Sequence, residues 1–322
     1  MLVDGWIDIH GHFFPPMSPE ELSKIAEGLR QNCWHIDHLH QWTPEVTLDY
    51  MDRTGIQMQM LSYVPSDSTK LMAANDYGAQ LVREHPDRFG LLAALPTDDP
   101  EMCLSEIARA VDELQCDGFA VQHIFKDSVL SDPKLEPVWA ELNRRESVVF
   151  AHPNAYGSAW GRPAALMDVA FQTAHVIADM LYRGVFRRHP NIRFVFTHSG
   201  GAFPAISGRL LLLGNEPWMP NPENITLDEM REVFARMFLD TAATMPTGLA
   251  AALSMTGPEK IVYGSDCGVP CSLEGSLNRN IEALLAYDGL SLEQIKAIGR
   301  NALNLFPAAR ARIEEARLKS TR

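Results

Sequence analysis

Eight short apolar runs alternate with helix-like segments along this chain, and that alternation limits the fold more than any other feature. The runs are Trp6 to Ile9, Ile56 to Val64, Phe89 to Leu95, Gly118 to Gln122, Val148 to Ala151, Ile192 to Phe196, Phe238 to Asp240 and Ile261 to Tyr263. Each reads as a buried strand, and a strand joined to the next through a helix builds a parallel sheet with helices outside it. The helix starts carry their own signals. Ser18-Pro19 and Thr43-Pro44-Glu45 are N-cap and first-turn pairs, and Gly55 is placed to end the second helix. Eight such units in 322 residues fit a (β/α)8 barrel, with a doubly wound open sheet as the alternative. The open sheet's glycine-rich fingerprint after the first strand is absent. His10-Gly11-His12 stands there instead.

No internal repeat, low-complexity tract or linker divides the chain, so residues 1–322 are expected to form one barrel domain, distorted by an insertion after strand 1. Residues 13–43 form that insertion, over the site, and residues 309–322 read as a charged tail. The length suffices for one large core. No apolar run approaches the roughly 20 residues that span a bilayer, and the chain enters a strand without a leader pattern, so a cytoplasmic protein is expected. A formal net charge of −13 with no dense basic patch excludes nucleic acid as the natural partner. Cys33, Cys103, Cys116, Cys267 and Cys271 are odd in number and unevenly spaced, so no disulfide framework is expected.

Chemistry concentrates at strand ends. Side chains alternate across a strand, so His10 and His12 face the same side. Such a pair can hold a metal ion, or can simply be polar residues at a strand terminus. In a parallel barrel, residues just past the C-terminal ends of the strands converge on one face. His152 follows strand 5, His198 strand 6 and Asp266 strand 8. Taken singly, His152 could be a turn residue, His198 a polar group at a helix start, and Asp266 a cap. Taken together, they bring metal-binding groups from four strand ends to one place. Imidazole nitrogens and a carboxylate oxygen suit zinc, and also manganese or iron. His10, His12, His152 and Asp266 are the expected ligands, with His198 beside them as an acid–base group.

Several motifs carry a family resemblance: Ile7-Asp8-Ile9-His10-Gly11-His12-Phe13-Phe14-Pro15, Met51-Asp52-Arg53-Thr54-Gly55-Ile56, Ala151-His152-Pro153, Thr197-His198-Ser199-Gly200-Gly201 and Tyr263-Gly264-Ser265-Asp266. In that order they resemble the amidohydrolase superfamily, most closely the branch of 2-amino-3-carboxymuconate-6-semialdehyde decarboxylase. The resemblance implies a divalent metal, usually zinc and sometimes manganese, on His10, His12, His152 and Asp266. It implies His198 as catalytic acid–base, with Asp266 also available as proton donor, no organic cofactor, and a homodimer. Thr47 stands where the aminocarboxymuconate enzyme has a substrate-gripping arginine, and Cys267-Gly268-Val269-Pro270 replaces the usual aromatic-proline continuation. Both departures argue against that same substrate. His123 and Arg162 are the candidates for binding the substrate anion, while His35, His38 and His40 are expected on a loop and His85, His175 and His189 in structural roles. The expected activity is metal-dependent, non-oxidative decarboxylation, a carbon–carbon lyase reaction, of an aromatic or unsaturated carboxylic acid. The alternatives are a hydrolase of a C–C bond, lactone or amide on the same ligands, and a non-catalytic metal-holding scaffold.

Overall fold

The computed structural model describes residues 2–155 and 157–320. Eight parallel strands follow one another in sequence order: β1 (Trp6–His12), β2 (Ile56–Ser62), β3 (Phe89–Ala94), β4 (Gly118–Gln122), β5 (Val148–His152), β6 (Arg193–Phe196), β7 (Phe238–Asp240) and β8 (Ile261–Val262). Each strand pairs in parallel with the next. β8 is only two residues long, so the seam to β1 is closed mainly by the segment that follows it. Ile9 N–H donates to Tyr263 O (3.0 Å), Asp266 N–H to His10 O (3.0 Å) and His12 N–H to Cys267 O (2.8 Å). The result is the distorted (β/α)8 barrel anticipated from the alternation, and the open-sheet alternative falls.

The strands are apolar because both faces are covered. One face of the sheet meets in the barrel interior, where Ile7, Ile9, Met58, Met60, Leu92, Phe150, Val195 and Val262 form one cluster. Leu61, Leu91, Phe119, Val149, Phe196 and Leu239 face outward into the larger cluster shared with the helices. β1 does not keep a simple alternation. Asp8 pairs with Gln59 and Gly11 with Leu61, so three steps on β1 oppose two on β2. A bulge of this kind re-aims side chains. Here the carboxylate of Asp8 meets Gln59, while His10 lies against the interior Phe150, ring centroids 5.0 Å apart.

Residues 13–43 carry the helix Pro19–Gln31, which starts with a reciprocal Ser18–Glu21 capping box and has no buried residue. The C-terminal segment corrects the sequence reading. Instead of a tail, Pro307–Ser320 is a helix. Its Ala309 and Ile313 join the interior cluster at the N-terminal end of the barrel. Arg312 there pairs with Asp117 just before β4, at 3.1 and 2.9 Å. The alternation of charged residues hid two apolar contacts spaced a helical turn apart. All five cysteines are free. Among the described residues no helix is long and apolar enough to cross a membrane.

Candidate metal centre and active site

The strand ends meet as the barrel geometry requires. One donor atom each from His10, His12, His152 and Asp266 lies within 4.8 Å of the other three. His10 Nε2 and His12 Nε2 are 3.1 Å apart, and Asp266 Oδ1 lies 3.3 Å from the first and 3.2 Å from the second. Hydrogen bonds behind the cluster set the tautomers. His10 Nδ1 donates to Asp240 Oδ2 (2.7 Å), and His152 Nδ1 donates to Pro153 O (2.7 Å). In the neutral form each ring then turns an Nε2 lone pair toward the centre, and among the described residues His152 Nε2 is buried with no hydrogen-bond partner. An orphaned lone pair beside two imidazoles and a carboxylate is costly without a ligand. Three nitrogens and one carboxylate oxygen suit a divalent cation.

Electrostatics favour the same use. Burial pushes His12 and His152 below the ordinary imidazole range, and the neighbouring imidazoles add to the shift at both. Both rings are therefore neutral and free to ligate. Burial opposes the charge on Asp266, yet His10 and the hydrogen bonds from His10, His12 and His198 hold its carboxyl well below the usual range. In the metal-free protein burial likewise works against a charged His10, but Asp240 and Asp266 outweigh it and raise the ring to about 10. The extra proton sits on Nε2, and a cation held there would take its place.

His198 sits beside this cluster and outside it, with Nε2 3.5 Å from Asp266 Oδ2. It follows β6 in a strained turn: His198 and Ser199 both have φ of 55°, and Asp266 has φ of 61°. Non-glycine residues in this region cost on the order of 1–2 kcal/mol each. The surroundings hold them there. His198 N–H donates to Asp240 Oδ1 (2.7 Å), and Ser199 Oγ donates to Asp240 O (3.1 Å). Asp240 was legible in the sequence only as the end of the seventh strand. The available signal was its position, a carboxylate at a strand's C-terminal end like the other site residues. Asp8 was also missed. Its buried carboxylate accepts from His10 N–H (3.0 Å), Ser265 N–H (2.9 Å), Ser265 Oγ (2.6 Å) and Gln59 Nε2 (2.8 Å), which ties β1, β2 and the segment after β8 together.

Above the cluster lies a cavity of about 500 Å³, lined mainly by apolar side chains including Phe14, Tyr63, Phe150, Val169 and Val269. His12, His152, His198 and Asp266 form its polar end. Ile25, Gly28 and Leu29 of the helix Pro19–Gln31 line it from the opposite side. Neither residue expected to read the substrate anion lines this cavity. Arg162 is exposed on a small hairpin, Ser158–Ala159 with Arg162–Pro163, where its guanidinium lies 3.4 Å from Trp160 O. The hairpin leaves it exposed and outside the cavity lining, a loop path that residue type does not reveal. His123 is fully buried and does not line the cavity, and among the described residues neither ring nitrogen has a partner in good hydrogen-bond geometry. Burial pushes its ring down to about 3. Among the described lining residues the cation other than histidine is Lys24, which is exposed and paired with Glu20 at 2.7 Å. Thr47 is buried on the helix Pro44–Thr54 and does not line the cavity. His35 and His38 are exposed in the insertion, and His189 is held by Glu136 Oε1 at 2.9 Å.

Comparison with known proteins agrees with this geometry. The amidohydrolase family profile matches residues 7–308. The 6-methylsalicylic acid decarboxylase acuB of Aspergillus aculeatus is 30% identical, over 94% of this chain and 96% of its own length. The 2-amino-3-carboxymuconate-6-semialdehyde decarboxylase of Dictyostelium discoideum is 27% identical, over 94% of this chain and 85% of its own. The crystal structure of a 2,6-dihydroxybenzoate decarboxylase complexed with 2,6-dihydroxybenzoate shares the fold, with a TM-score of 0.77 at 21% identity over 94% of this chain and 99% of that one. With strand order, strand-end residues and a profile match over nearly its whole length in agreement, this chain belongs to the amidohydrolase family.

Proposed function

We propose that this protein is a metal-dependent, non-oxidative decarboxylase of an aromatic carboxylic acid. The observation that carries the proposal is the convergence of His10, His12, His152 and Asp266, with His198 beside them, at the polar end of a largely apolar cavity. A cavity of about 500 Å³ suits a single substituted ring. The names of the relatives, decarboxylases of 6-methylsalicylic acid and of an aminocarboxymuconate semialdehyde, support the same reaction class.

Non-oxidative decarboxylation replaces a C–COO⁻ bond by C–H. The bonding pair stays on carbon, a proton arrives there, and carbon dioxide leaves. His10, His12, His152 and Asp266 would hold the divalent cation, with zinc or manganese fitting the donor set. When bound, the cation supplies an electron-withdrawing centre for substrate oxygens. The chain supplies the proton handling. Asp266 divides its work between two oxygens: Oδ1 lies against His10 and His12, and Oδ2 faces His198 Nε2. A proton held on His198 Nε2 can pass to Asp266 Oδ2 or onward to the substrate carbon, the role an imidazole performs near neutral pH. The apolar walls orient the ring and exclude water. The reading extends to a homodimer in the cytoplasm, expectations that light scattering and cell fractionation test.

The decisive experiment incubates zinc- or manganese-loaded protein with hydroxylated benzoic acids, 6-methylsalicylate and 2,6-dihydroxybenzoate among them, and measures released carbon dioxide. Carbon dioxide release that stops on chelation supports the proposal. Lactone, amide or C–C hydrolysis with no carbon dioxide from any acid moves the chain to the hydrolase alternative.

A further inference from the structure

We infer that Asp240 is a positioning residue that serves both halves of the site: one carboxylate oxygen sets the tautomer of the ligand His10, and the other anchors the backbone of His198. The inference rests on the metal-centre reading above and adds a residue to it. Asp240 ends β7 and is fully buried. Its Oδ2 accepts from His10 Nδ1 at 2.7 Å. Its Oδ1 accepts from His198 N–H at 2.7 Å and from Ala242 N–H at 3.0 Å. Each carboxylate oxygen thus has a different client.

The first contact matters because imidazole in its neutral form has one N–H and one lone pair. A carboxylate has only acceptors to offer, so it keeps the proton on Nδ1 and commits the Nε2 lone pair to the cluster. The second contact matters because His198 occupies a left-handed conformation. Its N–H needs a strong acceptor to stay there, and Asp240 Oδ1 is that acceptor. Close approach is built in at Gly264, where a Cβ would fall 2.9 Å from His10 Cβ and 3.0 Å from Asp240 Cβ. The segment after β8 can therefore pass both residues without prising them apart.

Asp240→Asn separates the two contacts. Its amide oxygen can still accept from His198 N–H, but its NH2 confronts His10 Nδ1. The ring must then carry its proton on Nε2, where it blocks the lone pair. The zinc dissociation constant, measured by chelator competition on the purified protein, should rise about 10- to 100-fold, the range for loss of such a partner. The ¹⁵N shifts of the His10 ring in the zinc-loaded parent should report a protonated Nδ1 and a metal-bound Nε2, and the zinc-loaded variant should lose that pattern. Asp240→Ala removes both contacts, and at saturating zinc it should lose more turnover than Asp240→Asn. A folded Asp240→Asn protein that binds zinc with the parent affinity, or keeps the Nδ1–H tautomer, overturns the inference. So does equal turnover of the two variants at saturating zinc. The zinc and NMR measurements stand whether or not any acid is decarboxylated. A parent protein that binds no zinc would instead refute the metal-centre reading itself.

Discussion

Gly268→Ala tests the claim that barrel closure and metal geometry are one structure. Gly268 lies two residues beyond Asp266, with φ of 95°. A Cβ built there falls 2.0 Å from His12 O, 2.9 Å from His12 C and 3.0 Å from Trp42 Cδ1. The obstacle is backbone, so no side-chain rotation relieves it. An L-residue at positive φ costs on the order of 1–2 kcal/mol. Forcing extra volume into a packed position costs about 1–3 kcal/mol. The shift that relieves the clash also strains the His12 N–H to Cys267 O bond, 2.8 Å in the parent, a further loss of roughly 0.5–1.5 kcal/mol. The total is about 2.5–6.5 kcal/mol. Urea unfolding of the metal-free protein measures it. Because the clash drives His12 away from the segment bearing Asp266, zinc affinity should fall as well. A stability loss below about 1 kcal/mol, on the scale of an ordinary surface substitution, together with parent zinc affinity would show that closure and ligand geometry are independent.

Other outcomes follow from the same contacts. His198→Ala should lower turnover by roughly 10²–10⁴-fold while zinc content by elemental analysis stays at the parent level, because His198 lies outside the ligand cluster. Arg312→Met should cost about 2–4 kcal/mol in urea unfolding. It leaves the fully buried Asp117 carboxylate with Leu91 N–H at 3.0 Å, and the lower figure reflects the 21% exposure of Arg312. The folded variant should remain active, since this pair lies at the opposite end of the barrel. His123, held down to about 3 by burial, is neutral in the folded protein while the unfolded chain takes up a proton near pH 6.5. Between those two values the unfolded state binds more protons, so stability falls as pH drops from about 6.5 toward 3. His123→Phe should flatten that acid limb in a pH series of unfolding curves, and an unchanged slope would refute the assignment.

The barrel and its principal residues were legible because both rest on local regularities. Buried parallel strands announce themselves as short apolar runs, and a chain of βα units delivers its strand ends to one face. Residue type at those ends was then enough to select His10, His12, His152, His198 and Asp266, which the structure brings together. What escaped depends on paths and neighbours that no local pattern encodes. The hairpin at 158–163 leaves Arg162 exposed, and His123 is buried outside the cavity lining. The segment from 309 reads as charged, yet two residues a turn apart dock it beneath the barrel.

The sequence alone determined that this chain would form an eight-unit barrel with imidazoles and a carboxylate at its mouth, since periodicity and strand-end chemistry are properties of each segment. Only the tertiary structure decided which groups stand behind them: Asp240 behind His10 and His198, Asp8 between β1, β2 and the closing segment, Arg312 on Asp117. Those pairings join residues as many as 257 positions apart. The β1 bulge, the register of each strand and the route of each loop set them, and their energies exist only once the barrel has closed.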